Sequence, residues 1–138
     1  MILPPKLDKI DHVHIQVPNR KQAAEWYEEV LGFSAVEAAL FWADDPGGPL
    51  TLSNPSGTIH LALFEREKPS PTTAIAFGVQ GHDFLEWKSY LAQRNLLVSF
   101  SDHSLTWSLY FCDPYGNNHE ITTDDHDYVT QQLHAEKS

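Results

Sequence analysis

Asp11-His12-Val13-His14-Ile15-Gln16-Val17 alternates polar and apolar side chains, the period of a half-buried strand. Pro18-Asn19 breaks the pattern, and Asn19 can cap a helix with Gln22 as its reciprocal partner. Ala23, Trp26, Tyr27, Val30 and Leu31 then fall on one helical face, and Gly32 is placed to end it. The same phrase returns near the middle of the 138-residue chain. Thr73 to Val79 reads as a strand in which Ile75, Phe77 and Val79 alternate with Ala74, Ala76 and Gly78. A turn at Gly81-His82 follows, then a predicted helix capped by Asp83 with Glu86 in the capping-box position. Its apolar side is Phe84, Trp87, the Lys88 stem and Leu91.

The ends of the two halves also correspond. Asn54-Pro55-Ser56-Gly57 is a turn followed by a strand from Ile59 to Phe64, and Asp113-Pro114-Tyr115-Gly116 is a turn followed by a strand from His119 to Thr123. Between helix and last strand each half has room for two more: Ser34 to Leu40 and Leu50 to Ser53, then Leu97 to Ser101 and Ser108 to Cys112. Asp44 to Pro49 and Lys68 to Pro71 read as loops, the second a linker. The expected fold class is α+β: two β-α-β-β-β modules, about 8–67 and 72–124, forming a curved, cup-shaped mixed sheet with helices outside, and a polar tail or short helix over 125–138.

Strand alternation turns Val13, Ile15 and Val17 toward the helix and His12, His14 and Gln16 away from it. The matching face of the second half carries Ala74, Ala76 and Gly78, so imidazoles on one wall face small residues on another, the makings of a ligand cup. His60 shares a face with Ala62 and Phe64, and Glu120 with Asn118 and Thr122. By the same parity His119 points away from Glu120 and reads as structural, while Cys112 shares the face of Tyr110. His82, His126 and His134 fall in a turn or the tail and receive no role.

Composition narrows the classes. The chain is 41% hydrophobic and 20% charged, an ordinary soluble globule rather than a disordered chain. No apolar run approaches a membrane span, and the start Met-Ile-Leu-Pro-Pro lacks a signal-peptide body. Nine Lys and Arg against nineteen Asp and Glu give a net charge of −10, which argues against nucleic acid or an anionic membrane as partner. One cysteine excludes an internal disulfide framework and makes a cytoplasmic location the default. Eight histidines make the charge pH-sensitive and supply raw material for a metal site.

The repeated module, the His in the first strand, and Tyr110-Phe111-Cys112-Asp113-Pro114-Tyr115-Gly116-Asn117-Asn118-His119-Glu120 resemble the vicinal oxygen chelate superfamily. That superfamily includes glyoxalase I, the fosfomycin and bleomycin resistance proteins, methylmalonyl-CoA epimerase and the extradiol dioxygenases. The resemblance covers about Lys9 to Thr123 as one glyoxalase-like domain, and from His103 to Glu120 it nearly fits the extradiol signature, departing at the opening position, Ser101. Tyr, Asp, Pro, Gly and Glu at fixed offsets arise by chance on the order of 10⁻⁴ or less per chain at usages of about 5–7% each, so the motif is specific.

The resemblance implies metal ligands at four positions, which here hold His12, His60, Ala74 and Glu120. Ala74 lacks a ligand atom, so either His60 completes a two-His, one-carboxylate site or metal binding has been lost. On the first alternative the expected function is a small metal-dependent enzyme of glyoxalase or extradiol type. A divalent ion (Fe, Mn, Ni or Zn) would chelate vicinal oxygens of a small organic substrate. His103, Tyr110 or His14 would handle the proton, and Gln16, Phe64, Trp107 and Cys112 would contact substrate. On the second, the chain is a non-catalytic binder like the bleomycin-sequestering proteins, with Trp42, Trp107, Phe64 and Tyr110 lining an acidic cup for a cationic aromatic ligand. Nothing resembles the cationic cluster that a phosphonate requires, and a glutathione-dependent role is disfavoured for that reason and for Ala74. Single-domain members are usually homodimers, so a dimer is expected.

Overall fold

Strand β1 spans Val13–Val17, with Ile15 and Val17 fully buried, as its alternation requires. Beyond Pro18 the chain turns into helix α1, Arg20–Trp26, whose N-cap is Asn19: its side chain accepts a hydrogen bond from the Gln22 N–H at 2.9 Å. The helix widens into a π turn over Tyr27–Leu31 and stops at Gly32, which takes the left-handed φ of 77°. Ala23, Tyr27, Val30 and Phe33 are buried, while Trp26 and Leu31 are half-buried at the flanks. The computed structural model describes residues 3–137; of the sequence readings above, Met1-Ile2 of the start and Ser138 of the tail lie outside them.

The chain divides into two compact units between Ser70 and Pro71. In the first, β1 is followed by β2 (Ser34–Ala35), β3 (Pro49–Ser53) and β4 (His60–Glu65) in the order β1-β4-β3-β2, with β1 and β4 parallel and the other pairs antiparallel. The strand expected from Ser34 to Leu40 is therefore only two residues long, and Glu37–Asp44 is a 3₁₀ helix. Glu37-Ala38-Ala39-Leu40 are strong helix formers without alternation, and local preference prevails there. Arg20 fastens this segment. Its guanidinium donates to the carbonyls of Ala43 (2.9 Å), Asp45 (3.1 Å) and Gly48 (2.5 Å). The β3–β4 turn is built on Asn54, whose side-chain oxygen accepts from the N–H groups of Thr58 and Ile59, each at 2.9 Å.

The second unit repeats the plan: β5 (Ile75–Gly78), α2 (Gly81–Gln93), β6 (Ser99–Asp102), β7 (Trp107–Cys112) and β8 (Asn118–Thr123), ordered β5-β8-β7-β6 with β5 parallel to β8. Phe84 and Leu91 of α2 are buried with Leu109, Phe111 and Ile121 of the sheet; burial of each is worth about 1.5–3 kcal/mol. Asp83 is not the cap. The helix begins at Gly81, and the Gly81 N–H donates to Oδ2 of Asp125 at 2.7 Å. The Asp113 turn is internally sealed: Oδ1 accepts from Tyr115 and Asn117 N–H at 2.8 and 2.9 Å, and Oδ2 from the Asn117 side-chain amide at 2.8 Å. The segment after Asp124 is a helix, α3 (His126–Glu136), whose Val129 is fully buried. Among the described residues no helix is long and apolar enough to cross a membrane.

The two repeats thus form two four-stranded mixed sheets, each with a helix from its own module, in a β-α-β-β-β plan.

Candidate functional site

In the first unit, register fixes which side chains share the face away from the core. His14 lies beside Ala62 and Gln16 beside Phe64 across β1–β4, and Thr51 lies beside Ala62 and Ser53 beside His60 across β3–β4. His12, just before β1, has the same parity. His12 and His60 line one cleft of about 340 Å³ with Asp11, Trp42, Thr51 and Ala62. Val36, Ala38 and Ala39 also line it, so the 3₁₀ segment that replaced the expected strand forms a wall of this cleft.

His12 is fixed at both ring nitrogens. Nδ1 is 2.9 Å from Asp11 Oδ2, and Nε2 is 3.0 Å from His14 Nε2. The hydrogen bond from His12 holds the Asp11 carboxyl below its usual range, against a lesser desolvation and with the help of Lys9, His12 and His60 nearby. Phe64 packs on the His14 ring with centroids 4.5 Å apart, and the Arg66 guanidinium lies 5.2 Å from the Phe64 centroid. Gln16 accepts a 2.8 Å bond from the Ser70 N–H, which ties it to the chain and occupies its carbonyl oxygen.

In the second unit, Tyr110 is the register neighbour of Glu120, and Ser108, Cys112, Asn118 and Ala76 share their face. Glu120 is half-buried, and its Oε2 accepts from the Ser108 hydroxyl at 2.9 Å. His103 Nε2 is 2.8 Å from the Tyr110 hydroxyl, so these two sequence candidates meet in a bond suited to proton transfer. Ala74 precedes β5 and offers no ligand atom.

Trp107 is placed elsewhere. It has the parity of Leu109 and Phe111, its indole N–H donates to Thr130 Oγ1 on α3 at 2.9 Å, and its ring stacks on His126. It braces α3 rather than lining the Glu120 face. His119 is 1% exposed between Phe77 and Phe111, and burial pushes its pKa down to about 4.

Two groupings escaped the sequence reading. His126 Nε2 lies 2.6 Å from Asp102 Oδ1, which helps lower the Asp102 pKa. At the start of α2, His82, Asp83 and Glu86 bring three potential ligand atoms within 4.8 Å of one another, a grouping that could hold a divalent cation. All three are exposed. The spacing of Asp83 and Glu86 around His82 was visible, but it also fits a helix cap.

The comparisons agree with this architecture. The chain belongs to the Glyoxalase/Bleomycin resistance protein/Dioxygenase superfamily, whose family model matches residues 9–121. No curated protein matches its sequence significantly. Among solved structures it resembles a glyoxalase family protein from Bacillus anthracis (21% identity, 88% of this chain and 99% of that one, TM-score 0.69). A glyoxalase/dioxygenase from Nostoc punctiforme is similar at 18% identity (90% and 96% covered, TM-score 0.70). A lactoylglutathione lyase from Agrobacterium tumefaciens matches at 18% identity (89% and 97% covered, TM-score 0.69). At these identities the likeness is one of fold.

Proposed function

We propose that the chain is a small metal-dependent enzyme of glyoxalase or extradiol type, acting on a small organic substrate with neighbouring oxygens. One observation carries the reading: His12 and His60, distant in sequence, line the same cleft on the face of the first sheet opposite Ile15 and Val17. The donors suit a borderline divalent ion such as Fe, Mn, Ni or Zn. With Nδ1 held by Asp11, His12 carries its lone pair on Nε2, now turned to His14 Nε2, and imidazole and carboxylate are the ligand types such ions take. His12 and His60 would hold it in the first unit, and the family resemblance gives Glu120 as the further ligand type. When bound, the ion supplies Lewis acidity to two vicinal substrate oxygens.

The protein's own groups do the remainder. The Ser108 hydroxyl holds Glu120 in one orientation as a carboxylate acceptor. Tyr110, hydrogen-bonded to His103, gives or takes a proton at its phenolic oxygen. Phe64 and Trp42 offer apolar surface to a substrate carbon skeleton. Elemental analysis tests the reading: about one divalent ion per chain and its loss in Glu120→Ala support it, whereas a protein that takes up no Fe, Mn, Ni or Zn refutes it.

A second reading is favoured by Ala74 and by Asp11 and Trp42 in the cleft of a chain with charge −10. On that reading the protein sequesters a cationic aromatic ligand without chemistry. A thermal-shift screen separates the two, since cationic aromatics without metal would stabilise the binder alone. In either case we propose a homodimer, for which light scattering at a mass of two chains is the check.

A further inference from the structure

We propose that His12 and His14 chelate one transition-metal ion together through their Nε2 atoms, with Asp11 as the carboxylate that orients His12. This rests on the metal-dependent reading above and changes its ligand set, moving His14 from proton handling to the metal.

The strand makes the chelate. His12, just before β1, and His14 on it have the same parity and point the same way, and their Nε2 atoms stand 3.0 Å apart. An ion bonded to two imidazole nitrogens at about 2.0–2.1 Å, at an angle of about 90–110°, keeps them about 2.9–3.4 Å apart. The two nitrogens therefore already have the spacing of cis ligands. Tautomer state agrees. With Nδ1–H of His12 donating to Asp11 Oδ2 at 2.9 Å, its Nε2 carries a lone pair, the arrangement in which a carboxylate fixes and strengthens a metal-bound imidazole. His14 then reaches the ligating state by moving its proton to Nδ1. Its ring is steadied by Phe64 at 4.5 Å, and its neighbour on β4 is Ala62, a methyl rather than a bulky side chain. Two imidazoles select Ni, Cu, Zn or Fe over Mg and Ca.

The test uses the full chain carrying His82→Ala, so that the exposed group on α2 adds no binding, stripped of metal and titrated with Co²⁺ by its visible absorption. The background protein should bind one equivalent, and His14→Ala and His14→Gln should each weaken binding about 10²-fold or more with unchanged circular dichroism. Asp11→Asn should weaken it about 10-fold and shift the ¹⁵N resonance of His12 Nδ1. Co²⁺ affinity of both His14 variants within threefold of the background overturns the chelate; if Glu120→Ala still abolishes binding, the broader reading stands without it. A background protein that binds no Co²⁺, Ni²⁺ or Zn²⁺ overturns both.

Discussion

Asp125 completes the first turn of α2: its Oδ2 accepts the Gly81 N–H at 2.7 Å from 44 positions further along the chain. Gly81 is suited to this contact because a Cβ there would stand 2.7 Å from Tyr128 Cδ1 and 2.8 Å from Asp125 Cβ. Asp125→Ala is expected to lower stability by about 1–2 kcal/mol, the usual loss for a capping acceptor. Gly81→Ala should cost at least as much by pushing α3 away. Urea denaturation of the two variants measures both.

Arg20 bridges three carbonyls around the C-terminal end of the 3₁₀ segment that walls the candidate cleft. Arg20→Lys cannot reproduce the planar fork. It should cost about 1–3 kcal/mol and raise amide exchange over residues 37–48, read by hydrogen–deuterium exchange. Unchanged protection of that stretch would show that the clamp is idle.

His119 makes stability depend on pH. Its pKa falls from an ordinary 6.5 to about 4 in the folded chain, so the unfolded chain binds the proton more readily. Its contribution is complete above pH 6.5 and is lost as pH falls through that value toward 4, on the order of 3 kcal/mol in all. Denaturation midpoints between pH 7 and 4 should fall more steeply in the native chain than in His119→Leu.

Tyr110→Phe removes the hydroxyl that meets His103 at 2.8 Å and leaves the ring. If the pair moves a proton, kcat on a panel of catechols and α-hydroxyketones falls about 10²-fold or more, with the melting temperature nearly unchanged. His103→Gln should lower kcat by a similar factor. Equal kcat in both variants would assign the pair to structure.

The fold was legible wherever local chemistry decides it. Asn19 caps α1 because a short polar side chain beyond Pro18 has one good use there, and Ile15 and Val17 alternate into the core. The same alternation separated His119 from Glu120. Legibility ended where a partner is remote or where expectation of symmetry outweighed propensity. Nothing near Gly81 announces Asp125, and Glu37-Ala38-Ala39-Leu40, within the room left for a strand from Ser34 to Leu40, consists of residues that favour a helix. Trp107 looks like a ligand wall by its aromatic character, while its parity with Leu109 and Phe111 already commits it to α3. At the candidate site, the residue types at His12, His60 and Glu120 were readable, but the His12–His14 spacing depends on side-chain rotation, which no sequence pattern records.

Cys112 is the chain's one thiol, and it lies on the Tyr110–Glu120 side of β7, half-buried. A trifluoromethyl tag attached there would give a single fluorine resonance without any prior mutagenesis. That resonance would sense compounds arriving beside Glu120 even when no turnover occurs, and so would allow ligand discovery before a substrate is known.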